Sequence, residues 1–143
     1  MIARTLARTI AEEALKKKAN DVVVMDLRKL QAPSDYFVLC SADSDTQVKA
    51  IADGIRDGME DAGIAVWHSE GYKSLQWILL DYVDVVAHVF HKEARSFYNL
   101  ERLWHDAAFH AVEDTSTGVK TRKMEMPKKK RTVKKKQPVR VAR

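Results

Sequence analysis

Two short apolar runs joined by only four residues constrain the fold of this chain more than any other feature. The run LQWILL (75–80) is followed by DYVD (81–84), and VVAHVF (85–90) begins at once. Both runs are too short for helices, and so short a connection brings two strands back side by side. Residues 75–90 are therefore predicted to form an antiparallel hairpin within a sheet.

Helical and strand patterns alternate along the rest of the chain. Apolar residues at every fourth position predict a helix over residues 2–16. Ser44 and Gln47 match a capping box at the start of a second helix, which Gly63 is predicted to end. Three short runs rich in β-branched or aromatic residues predict strands: VVVMDL (22–27), YFVLCS (36–41) and IAVWHS (64–69).

The last predicted element is a helix over residues 99–112, NLERLWHDAAFHAV. The resulting order, α-β-β-α-β-β-β-α, predicts an α/β fold of the α+β kind, with a five-stranded mixed sheet flanked by helices.

The net charge of +5 hides two regions of opposite sign. Residues 1–119 contain 13 basic and 19 acidic side chains, a net charge of −6. Residues 120–143 contain 12 basic side chains and one acidic side chain, a net charge of +11. Because the basic segment has no apolar periodicity, we predict a folded domain over residues 1–114 and a basic, disordered tail over residues 115–143.

Composition excludes several classes of protein. The single cysteine, Cys40, lies in an apolar run, which excludes an internal disulfide and a Cys-rich zinc site and favours a small core residue. No apolar run is long enough to span a membrane, and the N-terminus lacks the apolar region of a secretory signal. A cytoplasmic protein without a membrane partner is expected.

The titratable residues of the hairpin argue against catalysis. His88 and His91 are three apart, so a continuous strand points them to opposite faces and they cannot share a metal ion. Metal-dependent nucleotidyl transfer uses carboxylates on one strand face, backed by a Gly-rich loop, and the chain has no such loop. No enzyme activity, metal or cofactor is expected; a metal-dependent nucleotidyltransferase using Asp81 and Asp84 is the alternative.

Trp77 marks a candidate binding surface. It shares one strand face with Leu79, while Ile78 and Leu80 occupy the other, so both faces are largely apolar. One face packs on the core, and the other is covered either by a helix or by a partner. An aromatic anchor rimmed by acidic side chains suits a basic protein surface, and the rim here comprises Glu70, Asp81 and Asp84.

Five segments carry a resemblance to a known family: DYFVLCS, SDTQVKAIADGI, EGY, WILLDYVDVVAHVFH and YNLERLW. In their order and spacing over about residues 5–106, they resemble the ribosomal silencing factor, or iojap, family. The resemblance implies a nucleotidyltransferase-like fold without the catalytic motif. It also implies binding to the large ribosomal subunit through its protein fourteen, a steric block to joining of the small subunit that represses translation, and a homodimer when free.

Positions carried over from the family define the expected contact residues. The binding surface that the resemblance implies comprises Glu70, Gly71, Trp77, Ile78, Asp81, Tyr82, Asp84 and Arg102. Val83 stands where the family often has glycine, so the hairpin turn is expected to differ in shape.

The basic tail has no clear counterpart in the family. Its cations are expected to contact rRNA through salt-sensitive attraction that does not depend on base sequence. The residues concerned are Lys128, Lys129, Lys130, Arg131, Lys134, Lys135 and Lys136. A general RNA-binding protein that acts through this tail is a second alternative.

Overall fold

A seven-stranded mixed sheet organises the chain, which the computed structural model describes over residues 1–124. The elements are α1 (Ala3–Lys16), β1 (Asn20–Asp26), β2 (Tyr36–Ala42), α2 (Asp45–Asp61), β3 (His68–Glu70), β4 (Trp77–Asp81), β5 (Val85–His91), α3 (Lys92–Tyr98), α4 (Leu100–Leu103), β6 (Ala108–Thr115) and β7 (Gly118–Met124). The strand order is β3-β4-β5-β2-β1-β6-β7, and the β2–β5 pair is parallel while the other pairs are antiparallel.

Helices α1 and α2 cover one face of the sheet, called the first face here. Their apolar stripes, which include Ile10 and Ile51, are fully buried against side chains of β2, β4 and β5. β2 is buried along its whole length and β5 along all but its last residue. This explains why both strands are largely apolar in the sequence, since a strand covered on both faces has few positions for polar side chains.

The opposite, second face carries its own apolar cluster but is only partly covered. Met25, Phe37, Phe90 and Phe109 are buried there. Helices α3 and α4 and the Trp104 side chain lie against this cluster, yet neither short helix has a fully buried residue. The part of the second face beside β3, β4 and β5 is therefore covered less completely than the first face.

The start of α2 confirms one half of the predicted capping box. The Ser44 hydroxyl oxygen accepts a hydrogen bond from the backbone N–H of Gln47 at 3.2 Å. The Gln47 side chain does not reach back to Ser44; it donates to the backbone carbonyl of Lys17. That bond ties the start of α2 to the end of α1, so it serves tertiary packing and not the cap.

The mixed α/β class and the order of the first seven elements are confirmed, but the C-terminal part was predicted wrongly. The sheet has seven strands and not five. The predicted helix over residues 99–112 is the short helix α4 followed by strand β6, which pairs with β1 and places Phe109 opposite Met25. Pairing with the open edge of β1 satisfies backbone groups and buries Phe109, which outweighs a modest helical pattern.

Strand β7 extends the folded part into the segment that was predicted as tail. It pairs with β6 along its whole length, and the predicted boundary between residues 114 and 115 falls inside β6. The predicted rRNA contacts, residues 128–131 and 134–136, lie outside the described residues. In the part that the structure describes, none of the helices has the length and apolar content needed to cross a bilayer.

Candidate functional site

The predicted β4–β5 hairpin is present and is closed by a tight turn. Trp77 lies opposite Phe90 and Asp81 opposite Val86. The backbone N–H of Tyr82 donates to the carbonyl of Val85 at 2.8 Å, and the Asp81 carboxylate accepts from the N–H of Val83 at 2.7 Å. Asp81 therefore shapes the turn as well as carrying charge.

Trp77 is half-buried on the second face, held by one hydrogen bond and two aromatic contacts. Its indole Nε1–H donates to Nδ1 of His88 at 3.1 Å. Its ring lies 4.9 Å from the Phe90 ring and 4.8 Å from the Tyr98 ring, measured between centroids. The sequence left open whether a helix or a partner covers this face. In the structure, Tyr98 of α3 covers one side of the indole and leaves the rest accessible.

His88 is a buried, neutral imidazole with one unused donor. Because Nδ1 accepts the Trp77 bond, the ring proton of the neutral form sits on Nε2. Nε2 has no hydrogen-bond partner among the described residues, and the side chain is 4% exposed. Burial lowers the pKa of His88 to about 3, so the ring is neutral at physiological pH.

The three predicted acidic residues lie on or beside the second face. Register places Glu70 opposite Leu79 and His68 opposite Asp81, so these side chains share the face of Trp77. Glu70 is exposed, and its carboxylate lies 2.8 Å from Nε2 of His68. Asp84 is exposed in the β4–β5 turn. The structure thus places all three carboxylates at the β3–β4–β5 end of the sheet.

Two of the predicted contact residues are buried and serve the core. Ile78 is fully buried against the first face, on the opposite side of β4 from Trp77. Tyr82 is buried in the same cluster, and burial raises the pKa of its phenol to about 12. Neither side chain is accessible to a partner, so both anchor the hairpin to the core on the first face.

Gly71 and Arg102 have different roles around the hairpin. Gly71 adopts a φ of +95° in the turn between β3 and β4, and a Cβ there would collide with the backbone carbonyl of Trp77. Only glycine therefore lets this turn close onto β4. Arg102 is exposed on α4, whose neighbours Leu100 and Trp104 pack on the second face.

A groove that the sequence reading missed lies next to the hairpin turn; it is called the Trp67 groove here. It encloses about 430 Å³. Its exposed rim is formed by Trp67 and Val83, which are 71% and 58% exposed, and its buried floor includes Phe37, Val86 and His88. Asp81, Leu79, Pro33 and Ser34 complete the lining. The exposed indole of Trp67 and the exposed Val83 side chain together give this groove an apolar rim.

A second exposed apolar patch lies on the far side of Trp77. Phe97 and Tyr98 of α3 are 80% and 51% exposed, and Leu103 of α4 is also exposed. The resemblance places Tyr98 and Leu103 in the YNLERLW motif, but only the structure shows that the Tyr98 ring adjoins Trp77 and that the Phe97 ring contacts Tyr98.

The carboxylates needed by the nucleotidyltransferase alternative are not assembled into a metal site. Within residues 1–124 no group of three or more His, Cys, Asp or Glu side chains is close enough to hold a metal ion. The Asp81 carboxylate is engaged by the turn amide of Val83. These positions suit a shaped turn with a charged rim.

A larger groove lies around Arg95, near the start of β1, and the Arg95 side chain itself is bound to neighbouring groups. The Arg95 guanidinium lies 2.8 Å from the Glu101 carboxylate and donates to the backbone carbonyl of Asp21 at 2.7 Å. Arg95 therefore joins α3 and α4 to β1, and its charge is neutralised inside the protein.

Comparison with known proteins identifies the family. The sequence matches the family profile described as "Ribosomal silencing factor during starvation" over residues 2–140. This chain belongs to the ribosomal silencing factor family. The resemblance drawn from residues 5–106 is confirmed, and the family match extends well beyond them.

Individual members of the ribosomal silencing factor family are similar in sequence and structure. The ribosomal silencing factor of Bacillus subtilis (strain 168) is 42% identical over 104 residues, which are 73% of this chain and 88% of that protein. The chloroplastic protein Iojap of Zea mays is 36% identical over 103 residues, 72% of this chain and 45% of that protein. A crystal structure of a Chromobacterium violaceum protein, 31% identical, aligns with a TM-score of 0.71 over 73% of this chain and 88% of that one.

Proposed function

We propose that this protein is a ribosomal silencing factor that binds the large ribosomal subunit through its protein fourteen. The bound protein occupies space that the small subunit must enter, so it blocks subunit joining and represses translation. This role needs no bond to be made or broken, and it places the protein in the cytoplasm with the ribosomes. Membership of the family is the observation that carries the proposal.

The partly uncovered second face supports this role. Helices α1 and α2 cover the first face, whereas the second face leaves Trp67, Phe97 and Tyr98 exposed around Trp77. Exposed aromatic side chains supply the anchors that carry most of the binding energy in protein interfaces. The binding surface is therefore centred on Trp77 and Tyr98, with Ile78 and Tyr82 supporting it from the core.

Charge favours a basic protein over RNA as the partner of this surface. The carboxylates of Glu70, Asp81 and Asp84 lie at the β3–β4–β5 end of the sheet, and residues 1–119 carry a net charge of −6. Such a surface attracts a cationic protein patch and is repelled by the rRNA phosphates around it. Arg102, on α4, adds one cation at the opposite side of Trp77 for an acidic group of the partner.

Sucrose-gradient sedimentation with purified ribosomal subunits tests the proposal. The protein is expected to sediment with the large subunit and to reduce the fraction of joined subunits. The double variant Glu70→Gln, Asp84→Asn keeps the shape of both side chains and removes their charge. Because each exposed ion pair contributes up to about 1 kcal/mol, the affinity is expected to fall about tenfold, more at low salt.

A matched control lies on the covered side of the molecule. Asp57 and Glu60 are exposed on α2, so Asp57→Asn, Glu60→Gln changes the net charge equally without touching the second face. This control is expected to bind like the wild type. Equal weakening by both double variants would show a general charge effect and count against the acidic rim; absence of the wild type from the large-subunit fraction would overturn the function.

Two further assignments complete the proposal. The free protein is a homodimer, for which the exposed residues Phe97 and Leu103 provide apolar area beside Trp77. The basic segment contacts rRNA near the docking site, since a phosphate surface surrounds any protein bound to the subunit.

A further inference from the structure

The Trp67 groove is an unfilled apolar site at the acidic edge of the second face. At about 430 Å³ it is at the small end of the range of about 300–1,000 Å³ that ligand sites occupy, so it takes one or two side chains and not a folded element. Apart from Ser34, Asp81 and His88, its lining residues are apolar or aromatic. An apolar side chain is the group that gains most by entering it.

One residue of the groove lining, His88, has a ring donor without an acceptor. The Nε2–H of His88 is buried and has no hydrogen-bond partner among the described residues, and the opposite ring nitrogen is already occupied by Trp77. A buried donor left unsatisfied costs roughly 1–3 kcal/mol. An acceptor oxygen brought in by a partner recovers that free energy, so the groove favours an occupant with an oxygen next to its apolar group.

The charge around the groove selects the kind of partner. Asp81 lines it, Asp84 follows Val83 of its rim, and Glu70 lies on the neighbouring strand. Lysine or arginine side chains that flank the inserted residue would meet these carboxylates. The same features disfavour an acidic or phosphate-bearing occupant.

We propose that the Trp67 groove receives one apolar side chain from the cationic surface of the ribosomal partner, and that a backbone oxygen beside that side chain accepts a hydrogen bond from Nε2 of His88. This inference rests on the proposed function and adds a specific seat for the partner. It assigns Trp67 as an anchor and His88 as a donor, neither of which was among the expected contact residues.

Truncating the groove wall tests the inference. Trp67→Ala removes an indole that is 71% exposed, so little folding free energy is at stake. Affinity for purified protein fourteen and for the large subunit is expected to fall about tenfold or more, as for an aromatic anchor. Ile2→Ala is the control, because Ile2 is 69% exposed at the start of α1, and its truncation is expected to change neither affinity nor fold.

A spectroscopic measurement tests the role of His88 without mutating a buried residue. In the free protein the Nε2 proton of His88 has no acceptor, so its NMR resonance is expected to shift downfield when protein fourteen binds. An unshifted resonance in the bound complex would overturn the assignment of His88 as donor.

The outcomes separate this inference from the proposed function. If the wild type binds the large subunit and Trp67→Ala binds equally well, the groove assignment fails while the function stands. If the wild type does not bind at all, both fail. Conversion of a free dimer to a monomer by Trp67→Ala, with unchanged subunit binding, would assign the groove to a second copy. An increase in the solvent exposure of Trp67 when residues 125–143 are deleted would assign the groove to the protein's own C-terminal segment.

Discussion

The bond from Nε1 of Trp77 to Nδ1 of His88 fixes the protonation of a buried imidazole. It joins the two strands of the hairpin through their side chains and orients the indole on the second face. The sequence argued against a metal-ligand role for His88, and the structure shows this side chain as the hydrogen-bond partner of Trp77. The sequence could show the strand face of His88 but not the side chain with which it pairs.

Stability is expected to fall as the pH is lowered, because of His88. Burial lowers its pKa in the folded protein to about 3, whereas the unfolded chain has the ordinary value of about 6.5. Between these values the unfolded chain binds more protons than the folded protein. The stability that neutral His88 contributes is therefore fully present above about pH 6.5 and is lost as the pH falls towards 3. Each pH unit below 6.5 costs about 1.4 kcal/mol, or about 2 kcal/mol at pH 5.

Urea unfolding of the wild type and of His88→Gln, each at about pH 7 and about pH 5, measures this loss. Glutamine can still accept the hydrogen bond from Trp77 but does not titrate. Comparison with this variant therefore isolates the effect of protonating His88 on stability. The wild type is expected to lose about 2 kcal/mol more than the variant between the two pH values. Equal losses would mean that water reaches the imidazole in the folded protein.

Among the elements, the β4–β5 turn contains a residue in a strained backbone conformation. Val83 adopts a φ of 75°, in the left-handed region that a β-branched residue enters only at a cost. The turn is nevertheless held by the Asp81 carboxylate and by the Ser34 hydroxyl, which donates to the carbonyl of Val83. Valine at this position has a local energetic cost, and its exposed side chain forms part of the Trp67 groove rim.

Replacing Val83 by glycine is expected to stabilise the protein. Val83→Ala keeps the Cβ in the left-handed region and serves as the control for the lost methyl groups. In a regular strand or helix, glycine makes a protein about 0.5–1 kcal/mol less stable than alanine does, but at a positive φ this order reverses. The free energy of unfolding of Val83→Gly is therefore expected to exceed that of Val83→Ala by about 1 kcal/mol. Chemical denaturation measures the difference, and an alanine variant as stable as the glycine variant would refute a strained turn.

The strands that the sequence predicts well are those with a single physical interpretation. VVVMDL, YFVLCS and VVAHVF are short, apolar and bounded by turns, and each forms a strand close to its predicted bounds. Residues 107–111 are ambiguous because Ala107, Phe109 and Ala111 alternate as in a strand while Leu103 and Ala107 keep a helical spacing. Residues 108–111 form a strand because they pair with β1, and this pairing cannot be predicted from the local sequence.

Strand β7 and the Trp67 groove escaped prediction for different reasons. β7 is an edge strand with mostly exposed side chains, so its sequence has neither an apolar alternation nor a turn signal beyond Gly118. The groove combines residues around positions 33–37, 67 and 79–88, which only the folded sheet brings together. The proximity of Trp77, Asp81 and Asp84 was predictable because all three belong to one hairpin.

At the scale of the whole molecule, the chain has two regions of opposite charge, and the proposed function gives each a different contact on the ribosome. The folded domain is acidic, whereas residues 125–143 contain nine basic side chains and one acidic side chain. Deleting residues 125–143 leaves β7 intact and is expected to weaken, but not abolish, binding to the large subunit. Affinity is also expected to depend less steeply on salt, because each lost phosphate contact removes about 0.7–0.9 from the slope of log affinity against log salt.

Co-sedimentation at about 50 mM and about 200 mM monovalent salt checks this expectation. A full-length variant with Lys128, Lys129, Lys130, Lys134, Lys135 and Lys136 changed to glutamine is the control for chain length, and it is expected to behave like the deletion. Complete loss of binding at low salt would favour the RNA-binding alternative, and an unchanged slope would show that the segment makes no phosphate contacts.

One row of register crosses the entire sheet, from His68 through Asp81, Val86, Phe37, Met25 and Phe109 to Met124. With strands about 4.8 Å apart, its ends are about 29 Å from each other, and β6 and β7 account for about 10 Å of that width. If the molecule docks through the second face around Trp77, as proposed, β6 and β7 extend the sheet sideways beyond the docking point on the side away from β3. This hairpin would thereby widen the space from which an incoming subunit is excluded.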